Sequence, residues 1–193
     1  MGIDFKPLEK VLEKENKPTV LYVGRLKKSK RVHHIIEAFK SVRKKMPQCK
    51  LWVVGNGDDV YKRKLYKLAE GVDGIEFFHK LNNKSKLDLM SKSHVIVVTS
   101  VREGWGLIVT EANACGTPAI GYRVPGLKDS IKEGVNGVFC KENNPSELSG
   151  SIVDFLQDEK QKKDFAEKSL EDSRQYNWER TAKECLEIIE RNI

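Results

Sequence analysis

The chain has 193 residues, 39% of them hydrophobic and 33% charged, with a formal net charge of +7. That length suits one domain with a sizeable core, and the balance of apolar and charged residues excludes a disordered or fibrous chain. No apolar run approaches the roughly 20 residues that cross a bilayer, and residues 1–10 lack the apolar core of a signal peptide, so a cytoplasmic protein is expected.

Residues 1–18 are charged and weakly patterned and read as a linker; residues 19–193 read as the folded domain. Residues 19–23 form a short apolar run ending at Gly24, which predicts a buried strand. Over 29–46 the spacing of Val32, Ile35, Ile36, Phe39, Val42 and Met46 predicts a helix, stopped by Pro47. A strand at 50–54 ends at Gly55, and a basic helix spans 60–69. Then come a strand at 75–78, a short helix at 84–91 and the most apolar strand, 95–99. A helix over 107–115 is apolar nearly all round. Short strands at 118–121 and 138–140 flank a Pro125-Gly126 turn, and three helices follow at 146–156, 160–172 and 178–189. This alternation predicts an α/β fold: a doubly wound parallel sheet of about six strands, helices on both faces, and extra C-terminal helices within 146–192. Such sheets bind ligands beyond the carboxyl ends of their strands, where Gly24-Arg25, Gly55-Asn56-Gly57 and residues 99–106 fall.

The segment Glu103-Gly104-Trp105-Gly106-Leu107 running to Glu111 is the most informative. On a helix, Glu111 has Leu107, Ile108, Ala114 and Cys115 as neighbours, and a carboxylate in such surroundings needs hydrogen-bond donors, which ligand hydroxyls would supply. The glycine turn before it offers free backbone N–H groups to an oxygen-rich ligand. Trp105 fixes that turn or fills the core. Arg25 follows a strand and Lys30 stands at the start of the next helix, so together they can clamp a diphosphate. The alternative is a solvated basic loop, since Lys27, Lys28 and Arg31 lie beside them. Gly55-Asn56-Gly57 lacks the third glycine of the dinucleotide fingerprint, Val60 standing there. His33, His34, His79 and His94 show no metal-ligand spacing, although His94, ahead of a strand, is a candidate for the cleft. Cys49, Cys115, Cys140 and Cys185 are unpaired in spacing and read as reduced thiols. The basic balance comes without any nucleic-acid motif, which leaves a solvated surface, a phosphate-bearing ligand or a membrane-bound acceptor.

Taken in order, these residues resemble the nucleotide-sugar-binding half of family-four retaining GT-B glycosyltransferases, over nearly the whole chain. The resemblance runs through Gly2-Ile3-Asp4, Val23-Gly24-Arg25-Leu26, Lys30, Ile36-Glu37-Ala38-Phe39, and residues 51–57. It continues through residues 103–107, Glu111-Ala112, Gly116-Thr117-Pro118, Glu133-Gly134-Val135-Asn136-Gly137 and Tyr176-Asn177-Trp178. It implies a Rossmann-like domain, one half of a GT-B fold, in a retaining sugar transfer from a UDP- or GDP-linked donor, with no metal or other cofactor. Arg25 and Lys30 would neutralise the diphosphate, Glu111 would accept from the ribose hydroxyls, and Glu103 would contact the transferred sugar. Gly24, Gly104 and the backbone of Trp105, Gly106 and Leu107 would border sugar and phosphate; Gly55, Asn56 and Leu81 would border the base. Departures from the pattern are Arg31 for a glycine, Thr99 for a frequent proline, Pro125 for a glycine and Asp129 for a glutamate.

The resemblance also implies that the acceptor-binding N-terminal domain is missing and that the excised domain binds donor without transferring sugar. A stand-alone nucleotide-sugar-binding subunit and a GT-B-like epimerase remain alternatives. The acceptor is undefined, and a lipid-linked one would bring peripheral association with the inner membrane face.

Overall fold

The computed structural model describes residues 12–176 and 178–191; the expected match at residues 2–4 and Asn177 lie outside them. Among the described residues, six strands form one parallel sheet: β1 (Thr19–Val23), β2 (Lys50–Val54), β3 (Ile75–Phe78), β4 (Val95–Val98), β5 (Ala119–Gly121) and β6 (Gly137–Phe139). Their order is β3-β2-β1-β4-β5-β6. Strands covered on both faces read as continuous apolar runs, and Val20, Leu21 and the whole of β4 are buried accordingly. The strand order reverses direction between β1 and β4, which opens a crevice at their carboxyl ends.

Among the described residues, eight α-helices accompany the sheet: α1 (Val32–Lys45), α2 (Asp59–Ala69), α3 (Asn83–Lys92), α4 (Leu107–Asn113), α5 (Leu127–Ser130), α6 (Pro145–Gln157), α7 (Glu159–Ser173) and α8 (Trp178–Glu190). The expected face of α1 is buried through Val32, Ile35, Ile36, Phe39 and Val42. Helix α1 packs on α2 and α6, while α4 packs on α7. Side-chain caps begin four helices: Asp58, Asn82, Asn144 and Asp158 accept from Tyr61, Ser85, Glu147 and Gln161. The single turn α5 has no sequence signal beyond the Pro125-Gly126 pair before it. Helix α8 buries none of its side chains, and Trp178, Leu186, Ile188 and Ile189 are each more than half exposed.

The opposite end of the sheet, ahead of β4 and β5, is stitched to the start of the described chain. The Lys14 ammonium donates to the Ser93 carbonyl (2.7 Å), the Gly116 carbonyl (2.9 Å) and Thr117 Oγ1 (2.8 Å). His94 lies at this end too, so it does not line the cleft as its position before a strand had suggested. Its Nδ1 accepts from the Thr19 backbone N–H at 3.1 Å. Burial lowers its pKa from 6.5 to about 4. The unfolded chain therefore takes up this proton first, and folding stability is expected to fall as pH drops from 6.5 toward 4. Thermal melts at pH 7 and pH 5, run beside His94→Asn, check this. The amide oxygen of the variant can still accept from Thr19, so the variant should lose less stability on acidification; equal losses would clear His94 as the cause.

Candidate functional site

A cavity of about 460 Å³ opens at the carboxyl ends of β1 and β4. Gly24, Arg25 and Lys30 form one wall; Glu103, Gly104, Trp105, Gly106 and Leu107 form the other. A second cavity, about 320 Å³, shares Val23, Gly24 and Arg25 with the first and adds Gly55, Asn56, Lys80, Leu81 and Lys86. Eleven of the twelve residues expected from sequence thus line one or both cavities. The twelfth, Glu111, lines neither, but it is joined to the second through Lys86.

The turn after β1 is fixed by its own backbone and by a buried phenol. Leu26 N–H donates to the Asn56 carbonyl at 2.8 Å, and Tyr22 Oη donates to the Arg25 carbonyl at 2.9 Å. Burial pushes the Tyr22 phenol well above its ordinary range, so it stays a donor. The Arg25 side chain is exposed, and its guanidinium has no ion-pair or hydrogen-bond partner among the described residues. It is available to an anion.

Lys30 does not open the following helix. It closes a 3-10 turn over Lys28–Lys30, and the helix begins two residues later. Arg31 is the joint between them, left-handed at φ 50°, ψ 38°. A non-glycine residue resists that conformation by roughly 1–2 kcal/mol, and glycine is the usual residue there by resemblance. The Thr99 hydroxyl, another departure, lies 2.9 Å from the Lys30 carbonyl and 3.2 Å from that of Arg31, so it can hold the joint. Arg31 lines neither cavity.

Lys30 Nζ meets Glu103 Oε1 at 2.5 Å. Ser100 Oγ donates to the same oxygen at 2.5 Å. Glu103 Oε2 has no hydrogen-bond partner among the described residues and remains able to accept. The loop carrying Glu103 is braced by its backbone bond to the Pro125 carbonyl (3.1 Å). Gly126, at φ 81°, lets the neighbouring loop come close: a Cβ there would stand 2.1 Å from the Glu103 carbonyl oxygen.

Trp105 is tied at both ends. Its Nε1 donates to Thr110 Oγ1 at 3.2 Å, and its ring meets Tyr176 edge to face at 5.8 Å. Lys132 sits over Tyr176 at 5.5 Å and pairs with Asp172 at 2.6 Å, so the end of α7 supports the turn. The turn runs into α4, which Gly106 caps at φ 91°. Helix α4 has only seven residues, so its dipole is weaker than a longer helix would give. Glu111 is not a carboxylate ringed by apolar groups: its Oε2 pairs with Lys86 Nζ at 2.7 Å, and its side chain is a quarter exposed. The helical spacing is right, but α3 brings a cation that the local sequence of α4 does not announce.

At the second cavity, Asn56 Oδ1 accepts from Gly57 N–H (2.9 Å) and Lys62 Nζ (3.1 Å), leaving its amide N–H groups for other partners. His79 Nδ1 lies 2.8 Å from the Gly55 carbonyl, which can only accept, so that nitrogen carries the proton. Nε2 then accepts from Tyr66 Oη at 2.8 Å. Lys80 precedes Leu81 in the left-handed region, at φ 54°. Tyr22, Lys86, Ser100 and Tyr176 are the participants that sequence reasoning missed. Only Ser100, three residues before Glu103 and able to cap its carboxylate, carried a local signal.

Among the described residues, no group of three or more His, Cys, Asp or Glu side chains is arranged to hold a metal. No helix among them is long and apolar enough to cross a membrane.

The fold has counterparts. The uncharacterised glycosyltransferase MJ1069 of Methanocaldococcus jannaschii is 30% identical over 205 aligned residues, covering 100% of this chain and 52% of that protein. The N-acetyl-alpha-D-glucosaminyl L-malate synthase of Bacillus anthracis is 28% identical over 158 residues, covering 81% of this chain and 41% of that protein. Among solved structures, Anabaena Alr3699/HepE in complex with UDP and glucose superposes with a TM-score of 0.81 at 21% identity, covering 91% of this chain and 48% of that one. Sucrose-phosphate synthase from Thermosynechococcus elongatus gives 0.79 at 26% identity, covering 91% and 45%. The chain spans about half the length of the curated relatives it matches. The model of the family described as glycosyl transferases group 1 matches residues 5–172, and the chain belongs to that family.

Proposed function

We propose that this chain is the donor-binding domain of a glycosyltransferase that moves a sugar from a nucleotide diphosphate sugar to an acceptor with retention of anomeric configuration. The observation that carries the reading is the meeting of Arg25, Lys30 and Glu103 around one cavity that shares Val23, Gly24 and Arg25 with a second. Diphosphate would occupy the shared region at Gly24 and Arg25, the sugar would face Glu103, and the base would enter beside Gly55, Asn56 and Leu81. The relatives' names support transfer to an acceptor, and the solved relative with UDP and glucose supports a donor of this class.

The physical demand of the reaction is charge. As the bond from sugar to diphosphate breaks, negative charge grows on the leaving group and the sugar becomes oxocarbenium-like. Lys30, held by Glu103, and the exposed Arg25 are cations that can offset the first, without requiring a metal, and the carboxylate of Glu103 can hold the sugar and offset the second. Preorganised donors of this kind contribute roughly 3–4 kcal/mol each to lowering a barrier. The acceptor side is assigned to the remainder of a longer enzyme, toward which the apolar face of α8 would turn, so the domain alone is expected to bind donor and not to transfer.

Calorimetric titration with UDP-, GDP- and ADP-sugars tests the site. Arg25→Ala and Glu111→Ala should each weaken the best donor by roughly tenfold, the effect of losing one charge-assisted hydrogen bond. Unchanged affinity in both variants would refute the assignment.

A further inference from the structure

Lys86 lines the second cavity and pairs with Glu111. It belongs to the second turn of α3, whose start is held by Asn82 Oδ1 accepting from Ser85 N–H at 2.8 Å, and its own N–H donates to the Asn82 carbonyl at 3.1 Å. From that anchored position it lines the second cavity, and its ammonium reaches α4 to meet Glu111 Oε2 at 2.7 Å. The two side chains are 23% and 25% exposed, so the pair is partly shielded from solvent. Glu111 has no second hydrogen-bond partner among the described residues, and Oε1 is left to accept.

We propose that Lys86 is a positioning residue that fixes the Glu111 carboxylate against the ribose edge of the nucleotide, so that recognition of the ribose hydroxyls depends on a cation from a different helix. The inference rests on the reading of Glu111 given above. A lone glutamate on α4 can adopt several rotamers. A cation held on the neighbouring helix selects the rotamer that spans the two helices. One carboxylate oxygen is then occupied by the ammonium, and the other, with two lone pairs, is left to accept from the ribose hydroxyls. The ammonium also adds positive charge near the cavity, a direct attraction for any phosphate, and the test separates that effect from positioning.

The probes are UDP, GDP and ADP, with the 2′,3′-dideoxy counterpart of whichever binds this chain best. Wild type should prefer the ribose form. Lys86→Met should weaken the ribose form by roughly tenfold or more, while the dideoxy form, which gives Glu111 nothing to bind, should change by less than about twofold. Lys86→Arg, which keeps a cation in reach of Glu111, should restore most of the discrimination. Equal weakening of both nucleotides in Lys86→Met would overturn the proposal, because Lys86 would then act on phosphate or base, or on the fold. No weakening of either would overturn it as well. A wild-type chain that binds the dideoxy form as tightly as the ribose form would overturn the role of Glu111 itself, and this inference with it.

Discussion

Lys30→Ala is expected to weaken nucleoside diphosphate binding by about 100-fold, the largest loss from any single side chain in the cavity. Two effects act in the same direction. The charge-assisted contact to phosphate disappears, worth roughly 1.5–3 kcal/mol. Glu103 also loses its ion-pair partner at 2.5 Å and keeps only Ser100 as a donor, so a carboxylate stands uncompensated beside an arriving dianion. Together these reach about 3 kcal/mol, or the stated 100-fold. The second effect predicts non-additivity. The double variant Lys30→Ala/Glu103→Gln should bind better than Lys30→Ala alone, because the repulsive charge is gone. Arg25→Ala, which releases no buried partner, should be the milder change. Calorimetry with UDP on wild type, Lys30→Ala, Glu103→Gln and the double variant, with Arg25→Ala beside them, decides the matter; additive losses would mean that Lys30 and Glu103 act independently despite their contact.

Gly55→Ala should be the most damaging substitution for the fold near the site. At φ 152°, Gly55 lies so close to the turn after β1 that a Cβ would stand 1.9 Å from the Gly24 carbonyl oxygen. Backbone cannot yield as a flexible side chain does, so the ends of β1 and β2 must separate. The bonds at risk are Gly24 N–H to the Val54 carbonyl (3.0 Å), Leu26 N–H to the Asn56 carbonyl (2.8 Å) and Gly55 N–H to the Phe78 carbonyl (2.9 Å). Overpacking of this kind costs about 3 kcal/mol, which for a domain of this size lowers Tm by roughly 6–12 °C. Since Gly24 and Arg25 line both cavities, nucleotide affinity should fall with it. Gly104→Ala is the matched control: nothing lies within 4 Å of its Cβ position, so Tm should hold. Thermal melts of both variants check the pair, and a Gly55→Ala protein as stable as Gly104→Ala would show that the two turns are not locked together.

The strands and the ligand turns were legible because their signals are local. Apolar runs that end in Gly24 and Gly55 identify β1 and β2 directly, and the glycine-bracketed turn before Glu111 marks the mouth of the site. What sequence could not show is which charges meet. Lys30 and Glu103 are 73 positions apart and Lys86 and Glu111 are 25 apart, and each pair forms only because the strand order places its two elements side by side. Read alone, Lys30 belonged to a basic loop and Glu111 to an apolar helix; each has an opposite charge in contact. The boundary of α1 was misjudged for a related reason. Residues 28–30 have ordinary helical spacing, and nothing in it announces the left-handed joint at Arg31, which Thr99 can hold from across the sheet.

The clamped indole of Trp105 has a thermodynamic corollary. Thr110 on one side and Tyr176 on the other hold the turn through contacts within the chain. A molecule arriving there therefore finds backbone N–H groups aimed in advance, with little loop entropy left to lose. Association should then carry a small entropic penalty, and loosening the clamp, by Tyr176→Ala for instance, should shift the loss into entropy rather than enthalpy.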